Sequence, residues 1–177
     1  GGFHLLCDAR NEAAVARLRA RKAREAKPFA VMVLNAASAA LFAEVGEAER
    51  AAFEDRAAPV VLMRRREGLA PSVAPGLAHI GLIRAYTPLH WLILHALAGK
   101  PDFASWRDAP CDIALVATSA NLAGEPLIAD DAEARAALAG VADLVVGHAR
   151  AILARADDSV MRVLDGAPAY LRRARGV

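Results

Sequence analysis

Lysine is almost missing from this chain. Only Lys22, Lys27 and Lys100 are lysines among its 22 lysine and arginine residues, and the other 19 are arginines. Where composition has drifted so far toward Arg, Lys22 and Lys27 are candidates for places that need a compact ammonium, while Lys100 falls in a loop with no role the sequence names. Cysteine is equally scarce. Cys7 and Cys111 form no Cys-x-x-Cys pair and no disulfide framework, so a reducing cytoplasm is the expected compartment. The five histidines show no metal-ligand spacing and no cluster with cysteine, which excludes a dedicated zinc site. No apolar run is long enough to span a membrane: Leu89 to Ala98 comes nearest and is broken by His90 and His95. The net charge of only +2 excludes a strongly electrostatic nucleic-acid binder, although a pI near 8.8 leaves room for a local basic patch. Neither Gly-rich phosphate loop, G-x-x-x-x-G-K-[ST] or G-x-G-x-x-G, occurs.

What remains is a chain of 177 residues, 56% hydrophobic, without low-complexity tracts. That is the size and composition of one domain with a substantial core. Its start at Gly1-Gly2-Phe3, without a signal peptide, reads as a cut within a longer chain. Strand patterns are expected at Phe3 to Leu6, Phe29 to Leu34, Pro59 to Met63, His79 to Ile83, Ile113 to Ala117, Leu144 to Val146, Val160 to Leu164 and Tyr170 to Arg173. Helices are expected after Asn11, across Asn35 to Asp55 with a break at Gly46, after Thr87-Pro88, and after Asp130 with Glu133 completing a capping box. The helix Leu89 to Leu97 is apolar all round and should be buried. Strands alternate with helices early and pair locally at the end, across Asp165-Gly166-Ala167-Pro168. The fold class is therefore α/β: one twisted mixed sheet flanked by helices, in a single domain.

Four segments could carry chemistry. Lys22, Arg24 and Lys27 crowd a helix-to-strand junction, a dense positive site suited to phosphate, although a solvated helix end explains a charge run equally well. Thr118-Ser119-Ala120-Asn121 follows a strand, where α/β sheets bind ligands and where turns also favour Ser and Asn. Asp157-Asp158-Ser159 could orient Mg²⁺ or be a polar loop. In Leu171 to Gly176, strand alternation would place Arg173 and Arg175 on one face, able to meet an anion, or leave a frayed basic terminus. His90 and His95 read as satisfied histidines, and the cysteines as small core residues.

In order along the chain, Gly1-Gly2-Phe3-His4-Leu5, Cys7-Asp8-Ala9, Arg21-Lys22-x-Arg24-x-x-Lys27-Pro28-Phe29, Leu69 to Gly76, Tyr86-Thr87-Pro88-Leu89-His90, Thr118-Ser119-x-Asn121 with Gly124-Glu125-Pro126, Asp157-Asp158-Ser159-Val160 and Arg172 to Gly176 resemble the YrdC-like domain. The resemblance is closer still to that domain of the hydrogenase-maturation carbamoyltransferase (HypF) family. It spans essentially residues 1–177 as one YrdC-like domain, without the Lys-Gly strand that usually precedes Gly1-Gly2. It implies a positively charged cavity that binds ATP with Mg²⁺ and forms carbamoyl-adenylate from carbamoyl phosphate or carbamate, releasing pyrophosphate. By position, Lys22, Arg24 and Lys27 would hold phosphates, with Lys27 as the catalytic cation. Ser119 and Asn121 would bind the nucleotide phosphates, and Ser159 with Arg173 would close the site. The implied partners are acylphosphatase and Kae1-like domains that this chain lacks, and a hydrogenase-maturation protein ending in Cys. Departures from the family pattern are Arg84-Ala85 for Leu-Pro, Ala120 for Gly, and His148-Ala149-Arg150 for an Asp- or Asn-bearing triplet. The competing readings are a threonylcarbamoyl-adenylate synthase for tRNA modification, an RNA- or partner-binding module resting on Arg64 to Arg66 and the basic C-terminus, and a scaffold fragment that binds nothing.

Overall fold

The computed structural model describes residues 2–121, 125–148 and 150–177; Gly1, Gly124 of the Gly-Glu-Pro segment and Ala149 of the His-Ala-Arg triplet lie outside them. Seven strands form one sheet in the order β1 (His4–Asp8), β5 (Leu115–Ser119), β2 (Ala30–Val33), β4 (His79–Arg84), β3 (Val60–Arg64), β6 (Val160–Leu164), β7 (Ala167–Arg172). The β2–β4 and β3–β6 pairs are parallel and the others antiparallel, so the sheet is mixed, as the alternation of elements predicts.

Helix starts follow the caps written in the sequence. Asn11 accepts from the Ala14 amide at the start of α1 (Glu12–Arg21), and Asn35 accepts from Ser38 before α2 (Ala36–Phe42). Gly46 precedes α3 (Glu47–Glu54), and Thr87 accepts from His90 at α4 (Pro88–Leu97). A short α5 (Phe103–Trp106), unforeseen in the sequence, begins at Asp102, whose carboxylate accepts the Ser105 amide. Asp130 accepts from both Ala132 and Glu133 before α6 (Asp131–Ala137). The reciprocal half of that capping box is not made, because Glu133 turns outward toward Arg155 at 3.6 Å.

Alternation along β2 divides the core. Val31 and Val33 join Phe29, Phe42, Phe53, Leu82 and Val116 on one face, while Met32 and Leu34 join Ile83, Leu94, Trp106 and Leu115 on the other. Each such fully buried side chain contributes about 1.5–3 kcal/mol, so this two-faced strand anchors the sheet. Asp165 and Gly166 both have positive φ, at 50° and 76°, and close the β6–β7 hairpin as a primed two-residue turn.

Two sequence expectations are corrected. Leu144 to Val146 is no strand: Arg21 donates to the Val141 carbonyl, and Arg17 and Arg21 both hold Asp143, which ties this segment to α1 and away from the sheet. Helix α4 is not buried all round. His90 and Leu94 point inward, but Leu92 and Leu97 are exposed because only the sheet and the α5 aromatics cover it. Among the described residues, no helix is long and apolar enough to cross a membrane.

Candidate functional site

Helix α1 ends where Ala23 takes a left-handed φ of 48° and reverses the chain. Arg19 then gathers the following loop: its guanidinium donates to the carbonyls of Arg24, Glu25, Lys27 and Ser72 and lies 4.7 Å over the Phe29 ring. Sequence reasoning overlooked Arg19, whose helical position made it look like a surface cation. Arg24 stacks on the same ring at 5.2 Å and donates to the Lys27 and Pro28 carbonyls.

The three predicted cations therefore differ. Lys22 is only 4% exposed, and its ammonium donates to the carbonyls of Ser119 and Asn121 at 2.5 and 2.6 Å. Burial, and secondarily the neighbouring Arg24 charge, bring its pKa down to about 8. Arg24 is half-buried. Lys27 is exposed, and its ammonium has no partner among the described residues.

Ser119 ends β5. Its hydroxyl donates to Asn121 Oδ1, and Asn121 Nδ2 donates to the Glu125 carbonyl. The Ser-x-Asn turn is thus tied to itself, and Lys22 pins it from beneath. Ala120 is fully buried and has no positive φ, so alanine at this position carries no backbone strain.

The C-terminal segment makes a clasp. Fully buried Ser159 accepts from the Ala174 amide and donates to the Arg175 carbonyl. Its hydroxyl is spent on the chain itself. Because β7 stops at Arg172, the expected alternation does not reach Arg173 and Arg175. Arg173 is exposed, 5.2 Å over the Tyr170 ring, while Arg175 turns inward to Asp158 at 2.9 Å and to the Ala57 and Ala58 carbonyls. Gly176 has φ 85°, and a Cβ there would stand 2.7–2.8 Å from Ala57. Gly176→Ala is expected to lose about 1–3 kcal/mol in urea denaturation, since strain and a backbone clash add. Gly99→Ala, at φ 81° with open space around it, should show only the backbone part, about 1 kcal/mol.

A cluster that sequence reading did not assemble lies between these parts. His4 stacks on His90 at 5.6 Å, Tyr86 meets His90 edge-on at 4.8 Å, and Arg175 lies 3.9 Å over Tyr86. The Tyr86 hydroxyl donates to Asp158 at 3.3 Å. Burial lowers the pKa of both histidines, His90 to about 4, and raises that of Tyr86. His95 is satisfied by the Pro101 carbonyl, as expected of both helix histidines, but His90 Nδ1 is buried without a partner. These contacts join β1 at one margin of the sheet to the segments flanking β6 and β7 at the other. Charge from Arg172 likewise reaches Arg24. Since His4 also pairs with Ser119 across the β1–β5 ladder and Lys22 bonds the Ser119 carbonyl, one chain of contacts links the end of α1, the Ser-x-Asn turn, the histidines and the C-terminal clasp.

A family model described as "Telomere recombination", that of Sua5, YciO and YrdC, matches residues 1–174. The chain belongs to the Sua5/YciO/YrdC family. Within that family it is 53% identical, over 99% of its length, to a carbamoyltransferase HypF of Rhizobium leguminosarum bv. viciae, and 48% identical to one of Rhodobacter capsulatus. It spans about 22% of each of those relatives. A full-length HypF solved in a phosphate- and nucleotide-bound form superposes with a TM-score of 0.87 at 36% identity, and that of T. kodakarensis with 0.85 at 39%; the chain spans 22% of each. The domain is thus YrdC-like, and its likeness within the family is to the HypF branch, as the sequence motifs predict.

The residues present do not make a seat for a resident Mg²⁺. Asp158 is committed to Arg175 and Tyr86, Asp157 faces Arg172 at 3.7 Å, and no group of three His, Cys, Asp or Glu that could hold a metal occurs among the described residues. The Arg64 to Arg66 triple is also partly committed, to Glu44 and to the Ala40 carbonyl.

Proposed function

We propose that this chain is the adenylating domain of a carbamoyltransferase of [NiFe] hydrogenase maturation: it binds ATP and joins carbamate to the adenylate. A carbamate oxygen attacks the α-phosphorus, the bond from that phosphorus to the bridging oxygen of the β-phosphate breaks, and pyrophosphate leaves with the electron pair. The products are carbamoyl-adenylate and pyrophosphate. Such a step asks for positioning and charge neutralisation rather than a nucleophilic side chain. The observation that carries the reading is Lys22 pinning the Ser-x-Asn turn, while Lys27, five residues on in the same junction, is exposed and its ammonium has no partner among the described residues. The nucleotide-bound HypF relative supports it.

In this reading Lys27 neutralises the phosphates, Ser119 and Asn121 present the turn to them, and Arg24 and Arg173 line the rim. Lys22 holds the turn in place and lends its positive charge, and Ser159 holds the C-terminal clasp. Any Mg²⁺ would enter as part of the nucleotide substrate, since the described residues offer it no seat of their own. Carbamate comes from carbamoyl phosphate hydrolysed by an acylphosphatase domain, and the product passes to a Kae1-like domain and then to a partner's C-terminal cysteine. The free thiols Cys7 and Cys111 agree with a reducing cytoplasm.

The test is ATP–pyrophosphate exchange driven by carbamate or carbamoyl phosphate. Exchange driven instead by threonine with bicarbonate would move the chain to the threonylcarbamoyl branch, and RNA binding of steep salt dependence without nucleotide binding would make it a binding module. Lys27→Ala is expected to weaken ATP binding by about 1.5–3 kcal/mol, the value of a charge-assisted hydrogen bond, read by calorimetry on a folded variant. Unchanged affinity would remove Lys27 from the site.

A further inference from the structure

His4 is the Cα partner of Ser119 across the β1–β5 ladder. Directly paired residues project from the same face, with Cβ atoms about 4.5–5.5 Å apart. The His4 imidazole therefore stands beside the hydroxyl that opens the Ser-x-Asn turn. It stacks on His90, which is 7% exposed and whose Nδ1 is buried without a hydrogen-bond partner. No ring nitrogen of His4 is bonded within the described residues either. Buried polar atoms are almost always satisfied, and nothing among the described residues satisfies His90 Nδ1.

We propose that the paired edges of His4 and His90 are the seat of the carbamoyl group, reading the planar amino, carbonyl and oxyanion edges of the acyl substrate next to the α-phosphate. This rests on the adenylation reading above and assigns the half of the site that the phosphate-binding cations leave open. A centroid separation of 5.6 Å leaves no room for a base between the rings, and Tyr86 covers His90 edge-on. With its ring contacts taken by His4 and Tyr86, His90 is left its unpartnered nitrogen for a ligand, and that suits a small polar group rather than an aromatic one. A neutral imidazole presents one N–H donor and one lone pair. Carbamate supplies the complements, an oxygen acceptor and an amino donor. Holding both imidazoles neutral has a chemical use. Protonated carbamate falls apart to carbon dioxide and ammonia, whereas the attacking species must keep its anionic oxygen. A His90 with a pKa near 4 cannot deliver that proton at neutral pH. Asp158 and Arg175, whose charges act on both rings, are paired with each other at 2.9 Å.

The experiment compares the wild-type chain with His90→Phe and His4→Phe, which keep the ring packing and remove the nitrogens. Freshly dissolved ammonium carbamate is the acyl substrate, and sodium bicarbonate and ammonium chloride alone are the controls. Expected are an ATP dissociation constant within twofold of wild type and a KM for carbamate in pyrophosphate exchange raised at least tenfold. In parallel, carbamate but neither control should shift the His90 imidazole ¹⁵N resonances of the wild type. An unchanged KM in either folded variant, or loss of ATP affinity in step with the KM, would overturn the assignment. If both variants fail to fold, the ¹⁵N titration decides alone. A carbamate-specific shift without exchange would keep the seat and overturn the adenylation reading, and exchange without a shift would do the reverse.

Discussion

Lys22→Met is expected to reduce ATP affinity about 10- to 100-fold while also lowering the stability of the domain. Both effects come from one geometry. The ammonium is buried at the end of α1 and donates to the Ser119 and Asn121 carbonyls, two of the backbone acceptors of the Ser-x-Asn turn. Methionine fills the volume but donates nothing. Each carbonyl left without a partner in a buried place costs about 1–3 kcal/mol, and the turn loses the contact that aims it. Lys22→Arg is not expected to rescue, because a planar fork does not fit a slot shaped for a compact ammonium.

The pH dependence supplies the check. Lys22 has a folded pKa of about 8, below the ordinary lysine value of 10.5, because burial disfavours its charge. Between those two values the unfolded chain holds a proton that the folded chain has released, so this group makes stability rise with pH across that window. Nucleotide affinity should run the other way, falling above pH 8 as the charge beneath the turn is lost. Lys22→Met should flatten both slopes. Wild type and variant with parallel pH profiles in calorimetry and urea denaturation would remove Lys22 from this role.

How far the sequence could be read depended on whether a property was local. Caps at Asn11, Asn35, Thr87 and Asp130 act within three residues, and all four helices start where those residues stand. The β2 run is apolar at every position because both faces are covered, and it reads directly as a buried strand. The misplaced pieces depended on distant partners. Leu144 to Val146 has a strand's composition, but Arg17 and Arg21, more than a hundred residues away, hold its neighbour. The site divides in the same way. Its cations and its Ser-x-Asn turn stand out as short motifs, whereas nothing in a one-dimensional string says that Lys22 points inward and Lys27 outward. The histidine pair was invisible for the same reason: His4 and His90 lie 86 positions apart and meet only because α4, which carries His90, packs over the sheet face on which β1 presents His4. Arg19 was missed because a helical arginine that binds four carbonyls looks in sequence like any solvated one.

Among the ion pairs of the described residues, breaking the one at Asp158 should cost the most, and Asp158→Asn breaks it. Asp158 accepts from Arg175 at 2.9 Å and from the Tyr86 hydroxyl, and both members of the ion pair are little more than a fifth exposed, at 22% and 23%. Exposed pairs contribute about 0–1 kcal/mol, and breaking a fully buried pair costs about 3–5 kcal/mol. This sheltered but not sealed pair falls between, at about 2–3 kcal/mol. Asparagine keeps the shape, so the loss reports the charge. Arg175 stays trapped by the Ala57 and Ala58 carbonyls and the Tyr86 ring, with no counter-ion. Removing that stranded charge as well, in Asp158→Asn with Arg175→Met, should recover part of the loss, giving a coupling of about 1–2 kcal/mol in a double-mutant cycle. Glu54→Gln is the contrast. Its partner Arg50 lies one helical turn away at 3.7 Å and both are about half exposed, so the change should stay within about 0.5 kcal/mol. Urea denaturation measures the wild type, Asp158→Asn, Arg175→Met, the double variant and Glu54→Gln. Equal losses for Asp158→Asn and Glu54→Gln would mean that water screens the clasp as it screens the surface, and that the C-terminal arginines close nothing.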